Sequence, residues 1–162
     1  MTQTETHQSY LTFWIGDELF ATNVSKVLEI LEVPKITKVP RSPDFMRGVI
    51  NLRGAVLPVI DTRIKFGLPI TPDTVNTCIV VLTLEMEGHE LMIGAIADSV
   101  KEVIEVTEQD ILDPPSVGSN YKAEFVEGML KLNEQFIMLL DIDKVFASNE
   151  VIEMKELTSA DS

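Results

Sequence analysis

The sequence has few of the residues from which metal and catalytic sites are usually built. Its 162 residues include one cysteine, Cys78, and two histidines, His7 and His89, with no second ligand at metal-binding spacing from any of them. A lone cysteine excludes an intramolecular disulfide, which suits a reducing compartment. The sequence also lacks a Gly-x-Ser-x-Gly nucleophile motif, a Walker loop and a Gly-x-Gly-x-x-Gly fingerprint. It therefore predicts no metal, no cofactor and no catalytic residues, and we expect a protein that is not an enzyme.

Long apolar runs and basic side chains are also scarce. No uncharged stretch approaches the ~18 residues that cross a bilayer, and the polar first nine residues do not resemble a signal peptide. We therefore expect a cytoplasmic protein with no direct membrane insertion. Lys and Arg number 13 against 26 Asp and Glu, a formal net charge of −13. This balance disfavours nucleic acid as a partner, because phosphate contacts need clustered basic side chains.

The basic residues are concentrated in one segment. Residues 26–65 hold eight of the 13 basic side chains, including all four arginines, against four acids. This segment is either a solvated basic face that balances an acidic body or a docking surface for an acidic partner. Charge alone favours the solvated face.

The chain contains an internal repeat. Residues 45–66 align without a gap on residues 125–146, at a constant offset of 80. Shorter matches precede each copy, between 16–20 and 88–92 and between 27–33 and 100–106. The aligned positions include Phe45 and Phe125, Gly48 and Gly128, and Asp61 and Asp141. Two similar modules of about seventy residues each follow from this duplication, divided near residues 69–72.

Hydrophobic periodicity predicts the elements of the first module. Alternation over residues 9–15 predicts a strand, which a glycine turn joins to residues 19–22 in a hairpin. Apolar residues at i, i+3, i+4 and i+7 predict a short helix over residues 24–31, with Asn23 as its N-cap and Pro34 at its end. A second hairpin is expected around residues 51–54.

The second module repeats this pattern. Strands are expected near 77–85, 91–98, 100–106 and 126–140, the last with a turn at Asn133, and Thr107 begins a short helix. Because a small sheet removes its exposed edges by curling, the pattern predicts an all-β fold of two small five-stranded β-barrels packed side by side, with short helices. The expected divisions are a flexible N-terminus (1–9), one barrel (10–70), a second barrel (71–146) and an acidic C-terminal tail, helical or disordered (147–162).

Four residues are candidates for function. Asp61 and Asp141 could form a catalytic carboxylate pair, but their equivalence in the repeat favours helix capping. Cys78 lies in an apolar run and is interpreted as a core residue rather than a nucleophile. Arg53 has Asn133 as its counterpart in the repeat, so a role in recognition is at least as plausible as a structural one.

The segment around Arg53 resembles a known family. Residues 48–54 read Gly-Val-Ile-Asn-Leu-Arg-Gly and are followed by Leu-Pro-Val-Ile-Asp-Thr-Arg at 57–63 and Lys-Phe-Gly at 65–67. This is similar to the hallmark of the CheW-like chemotaxis coupling proteins, with a threonine at Thr62 where the family often has leucine. The resemblance extends from Tyr10 to Phe146. It implies two SH3-like barrels that form a non-enzymatic scaffold, which couples transmembrane chemoreceptors to a CheA-type histidine kinase in membrane-associated arrays.

The resemblance also implies two binding surfaces. A groove between the barrels would hold the helical hairpin at the cytoplasmic tip of the chemoreceptor. The receptor-binding residues carried over from the family are Val27, Glu29, Arg53, Cys78, Ile93, Gly94 and Val100. Leu112 and Val117 would contact the regulatory domain of the kinase, and kinase and scaffold would together form rings.

Two other functions remain open from the sequence. One is an adaptor of a non-flagellar chemosensory pathway that controls twitching motility or gene expression. The other is a small-molecule sensor or an enzyme that uses the groove between the modules.

Overall fold

The structure is a computed structural model that describes residues 7–70, 72–86, 88–113 and 125–146. The expected tail (147–162) and most of the expected flexible N-terminus lie outside these ranges. The elements are β1 (His7–Ile15), β2 (Glu18–Asn23), β3 (Val27–Glu32), β4 (Met46–Leu52), β5 (Ala55–Ile60), α1 (Thr62–Lys65), β6 (Cys78–Met86), β7 (His89–Ala97), β8 (Ser99–Thr107), β9 (Val126–Leu132), β10 (Gln135–Leu140) and α2 (Ile142–Val145). Single 3₁₀ turns occupy Val24–Lys26 and Glu108–Asp110.

The ten strands form two five-stranded sheets, as predicted. Sheet I has the order β8-β1-β2-β10-β9, and sheet II has the order β3-β6-β7-β5-β4. The β2–β10 and β5–β7 pairs are parallel, and the other pairs are antiparallel. A bridge from Thr37 to Val49 joins the segment after β3 to β4, and one from Leu112 to Met129 joins the segment after β8 to β9. Each sheet therefore curls until its two ends approach each other.

The two sheets do not follow the expected division at residues 70 and 71. Hairpin β1–β2 belongs to the first module but completes sheet I with β8, β9 and β10 of the second. Hairpin β6–β7 of the second module completes sheet II with β3, β4 and β5 in the same way. The duplication is real, but the modules exchange their first hairpins. Local periodicity specifies each hairpin and not the distant strand on which it pairs.

Three apolar clusters stabilise this arrangement. One lies within sheet I and includes Tyr10, Leu19 and Ile137; a second lies within sheet II and includes Leu57 and Ile79. The third, the junction core, takes side chains from both sheets and from both short helices. In it the rings of Phe20 and Phe66 stack with their centroids 5.3 Å apart. The sheets therefore share a core and are held together by burial of apolar area.

The helix expected over residues 24–31 is wrong. Only the turn Val24–Lys26 is helical, and β3 follows at once and pairs with β6. The i, i+3, i+4, i+7 pattern misleads because two of its members, Val24 and Leu28, are exposed and do not contribute to a buried stripe. The predicted N-cap is confirmed, since the Asn23 side chain accepts a 2.9 Å hydrogen bond from the Ser25 amide.

Candidate functional site

The turn that carries Arg53 has a backbone conformation that arginine rarely adopts. Arg53 and Gly54 join β4 to β5 with φ values of 50° and 87°. The equivalent turn between β9 and β10 has Asn133 and Glu134 at 52° and 67°. Two-residue hairpin turns favour positive φ at both positions, where asparagine and glycine are preferred. The fold therefore requires the turn but not the arginine side chain.

The guanidinium of Arg53 is held by one carboxylate. Its Nη1 donates to Glu29 Oε1 on β3 at 3.3 Å, and its Nη2 donates to Glu29 Oε2. The side chain of Arg53 is nevertheless 71% exposed. An ion pair this exposed contributes only about 0.2–1 kcal/mol to stability. Its main effect is to orient a guanidinium whose surface remains available to a partner.

Three other candidate residues lie with Glu29 in two neighbouring rows of sheet II. Val27 on β3 and Ile93 on β7 both pair with Leu82 of β6. Glu29 and Gly94 both pair with Val81 of the same strand. The two rows thus bring together residues that are far apart in sequence.

The remaining two receptor candidates lie at the junction of the sheets. Cys78 begins β6, and Val100 lies on β8 of sheet I opposite Phe13. Val27, Cys78, Ile93 and Val100 all contact the junction core. The structure therefore gathers the candidate set along sheet II and at its border with sheet I.

Burial separates this set into two groups. Ile93 is 1% exposed, and Cys78 and Gly94 are also buried, so these three offer no contact surface in this arrangement. A Cβ atom at Gly94 would lie 2.7 Å from Ile79 Cγ2, so this position needs a glycine for packing. Glu29, Val27 and Val100 are half-buried, and Arg53 is exposed.

Cys78 is a core residue, as predicted. Burial raises the pKa of its thiol, and the nearby Asp98 carboxylate raises it further. A thiol that stays protonated is a poor nucleophile.

The structure describes Leu112, the first of the two expected kinase contacts. Leu112 is 46% exposed and forms a two-bond bridge with Met129 of β9, with N–O distances of 2.8 and 2.9 Å. It lies beside sheet I, whereas Arg53 and Glu29 belong to sheet II. Val117 lies outside the described residues.

The two aspartates of the repeat are helix caps, as predicted. Asp61 accepts a hydrogen bond from the Arg63 amide at 3.0 Å, and Asp141 accepts one from the Lys144 amide at 3.2 Å. Asp61 also binds the Arg63 guanidinium through Nε at 3.1 Å and Nη2 at 3.2 Å. The carboxylates therefore stabilise α1 and α2 and are not arranged as an acid–base pair.

Arg63 is an internal residue that the sequence did not identify as one. Its side chain is 1% exposed and also contacts the Asp98 carboxylate at 3.2 Å. Burial opposes its charge, but Asp61, Asp98 and Asp73 outweigh this effect and raise its pKa. Arg47 pairs with Asp73 at 2.5 Å. Three of the four arginines, Arg47, Arg53 and Arg63, thus pair with the protein's own carboxylates, so the basic segment is a weaker candidate for a docking surface than its charge indicates.

Two structural features bear on the class of site. In the part of the chain that the structure describes, no three acidic, histidine or cysteine side chains converge to hold a metal ion. None of the helices in the described ranges has the length and apolar character needed to cross a membrane.

Comparison with known proteins agrees with this geometry. The model of the CheW-like domain family matches residues 9–150. Chemotaxis protein CheW of Klebsiella aerogenes is 32% identical over 144 residues, covering 89% of this chain and 84% of that protein. Protein FrzA of Myxococcus xanthus is 32% identical over 148 residues, covering 88% of each.

A solved structure gives the same result in three dimensions. The crystal structure of the scaffolding protein TtCheW from Thermoanaerobacter tengcongensis superposes with a TM-score of 0.80 at 30% identity, covering 93% of this chain and 94% of that one. The expected pair of SH3-like units thus corresponds to the two curled sheets. The chain belongs to the CheW family.

Proposed function

We propose that this protein is a non-enzymatic scaffold that couples the cytoplasmic tips of transmembrane chemoreceptors to a CheA-type histidine kinase in bacterial chemotaxis. Membership of the CheW family supports the role. The observation that carries it is the Arg53–Glu29 pair, in which an exposed guanidinium is oriented at a turn where the repeated module has Asn133. The protein works in the cytoplasm, at the membrane-associated arrays of its receptors.

The receptor contacts are assigned to the accessible members of the candidate set. Arg53, Glu29, Val27 and Val100 form the contact surface, and Cys78, Ile93 and Gly94 support it from within the core. An amphipathic helical hairpin would place apolar side chains against the half-buried valines and an acceptor group against Arg53. This combination suits a helix pair better than a small molecule, because the polar groups lie at the edge of the surface.

The kinase contact is assigned to the surface around Leu112, with Val117 as its second member. Leu112 is an exposed apolar side chain fixed to β9 by a backbone bridge. Its position beside sheet I lets the scaffold bind the regulatory domain of the kinase and a receptor at the same time. Simultaneous binding on separate surfaces is what assembly into rings requires.

The test is a titration of the protein with a purified receptor-tip helical hairpin. Arg53→Glu is compared with Arg41→Glu, a matched control because Arg41 is also exposed, in the same basic segment, and at a positive φ of 63°. We expect saturable binding by the wild type and by Arg41→Glu, and none by Arg53→Glu. Equal binding by both variants would move the receptor site away from Arg53. No binding by any of the three would reject coupling to that receptor.

A second candidate is an adaptor of a non-flagellar chemosensory pathway. The similarity to FrzA, a relative that does not carry the CheW name, favours this second candidate. Deletion of the gene separates the two candidates. Loss of swimming chemotaxis supports the first, and normal swimming with altered surface motility or gene expression supports the second.

A further inference from the structure

A polar cleft of about 480 Å³ lies on sheet I, apart from the Arg53–Glu29 pair. Its walls come from β1, β2, β8, β9, β10, the two 3₁₀ turns and the start of α2. One basic side chain, Lys26, lines it. Its acidic lining residues are Glu108, Glu127, Asp141 and Asp143. Among the described lining residues four acids therefore face one base, and the cleft is negatively charged.

One hydroxyl on the wall of the cleft has no partner. Thr22 is fully buried, and its Oγ1 makes no hydrogen bond within the described part of the chain. Burial of a hydroxyl without a partner is unfavourable, because its lost hydrogen bond to water is not replaced. An N–H group entering the cleft would supply the missing hydrogen bond.

Glu127 is an exposed residue of β9, and its carboxylate is only partly satisfied by hydrogen bonds. Its Oε1 accepts a hydrogen bond from the Tyr10 hydroxyl at 3.0 Å. None of the basic side chains in the described ranges lies within salt-bridge distance of it, although the charge of Lys144 acts on it from α2. Burial raises the pKa of Glu127, and its neighbour Asp141 raises it further. Burial and the Glu127 charge also raise the pKa of Tyr10 to about 12.

The internal repeat shows what this location holds in the other module. The offset of 80 places Glu127 on Arg47, Asp141 on Asp61 and Asp143 on Arg63. In the first module the Asp61 carboxylate binds the Arg63 guanidinium and lies 3.6 Å from that of Arg47. Both arginines are replaced by acids in the second module.

Lys26 offsets only part of this charge reversal. It pairs with Asp143 at 2.8 Å and leaves the carboxylates of Glu127 and Asp141 without a salt bridge in the described structure. The same backbone scaffold thus binds a guanidinium internally in one module and presents carboxylates to the cleft in the other.

We propose that the cleft formed by Thr22, Glu127 and Asp141 binds an organic cation of the guanidinium type. The carboxylates accept from the guanidinium N–H groups, as Asp61 does from Arg63, and the Thr22 hydroxyl accepts one more. The planar group of a guanidinium matches a carboxylate better than an ammonium ion does. The lining of the cleft includes none of Arg53, Glu29 and Leu112, and the proposal does not depend on the proposed receptor and kinase contacts.

The first experiment titrates the ¹⁵N-labelled full chain with N-acetyl-L-arginine amide and follows backbone amide shifts. N-acetyl-L-citrulline amide is the matched control ligand, because it has nearly the same size and no charge. We expect saturable shifts at Thr22 and Glu127 with the arginine derivative alone. Equal shifts with both compounds would overturn the proposal. Absence of saturation with both the arginine derivative and the peptide described below would also overturn it.

A second arm asks where the guanidinium comes from. The peptide acetyl-Gly-Gly-Arg-Gly-Gly-amide presents the same group within a chain. A dissociation constant equal to that of the free derivative supports a small cation as ligand. A value lower by more than about tenfold supports an arginine side chain of a partner protein.

Variants locate the site. Glu127→Gln removes the carboxylate, and Glu134→Gln removes the same charge from the exposed β9–β10 turn. We expect the first to raise the dissociation constant about tenfold, since hydrogen bonds to charged groups are the stronger ones, and the second to leave it unchanged. Thr22→Val keeps the shape without the hydroxyl and should weaken binding while preserving the fold. Wild-type affinity in both Glu127→Gln and Thr22→Val would overturn the assignment. If Glu127→Gln does not fold, wild-type affinity in Thr22→Val alone would overturn it.

Discussion

Replacing Arg53 with asparagine separates its two roles, because asparagine is what the duplicated module uses at the same turn. Asn133 adopts a φ of 52° and Arg53 one of 50°, so Arg53→Asn retains a backbone conformation already present in the molecule. The substitution removes only the side chain and its pair with Glu29. It is a milder change than Arg53→Glu, which also places two carboxylates next to each other.

The expected change in stability is small because two contributions oppose each other. Loss of the exposed Arg53–Glu29 pair costs about 0.2–1 kcal/mol. Asparagine adopts the left-handed region more easily than arginine does, so the substitution recovers about 1 kcal/mol of backbone strain. We therefore expect the free energy of unfolding to change by less than about 1 kcal/mol, which shifts Tm by no more than about 4 °C in a chain of this size.

Receptor binding should respond differently. An arginine that anchors an interface contributes at least about 2 kcal/mol, which corresponds to a loss of affinity of about 30-fold. Calorimetric titration with the receptor-tip hairpin measures the affinity, and urea unfolding of the same sample measures the stability. Unchanged affinity would refute the recognition role of Arg53. A loss of stability above about 2 kcal/mol would refute the reasoning that the turn tolerates asparagine.

Four further substitutions test the structural assignments by urea unfolding. Asp61→Ala should lower the free energy of unfolding by about 3–5 kcal/mol, because it leaves the buried Arg63 guanidinium without its main partner. Asp141→Ala should lower it by only about 1 kcal/mol, because only a helix cap is lost. Equal losses would contradict the difference in burial between the two aspartates. Glu127→Gln should increase the free energy of unfolding near neutral pH and leave it unchanged in acid. The pKa of Glu127 is raised in the folded protein, so the carboxyl favours folding below its ordinary pKa, and this contribution is lost as the pH rises through the raised pKa. Gly94→Ala should destabilise by about 1–3 kcal/mol through the clash with Ile79, and a receptor-binding defect without destabilisation would show that Gly94 faces the partner.

The duplicated charge pattern shows why part of the site escaped sequence reasoning. Arg47, Arg53 and Arg63 look alike as three basic residues in one segment. The structure places Arg63 in the core and Arg47 against Asp73, and leaves Arg53 exposed. A sequence pattern reports the charge of a side chain, but not whether a carboxylate from another element reaches it.

The candidate receptor residues show a similar limit. The resemblance to the CheW family selected Ile93, Gly94 and Cys78 together with Arg53 and Glu29. Only the structure distinguishes the buried members from the accessible ones, because exposure depends on how sheet II packs against sheet I. Glu29 was identified through the family, and its pairing with Arg53 could not be derived from a separation of 24 residues.

The sequence by itself determined the elements that depend on local order. Apolar periodicity specified the hairpins, the aspartate caps specified the two short helices, and the constant offset of 80 residues revealed the duplication. Only the tertiary structure decided that the modules exchange their first hairpins, that residues 27–32 form an edge strand, and that Arg63 is internal. The reason is physical: turns and caps are set by neighbours in the chain, whereas strand pairing and burial are set by partners that folding brings from a distance.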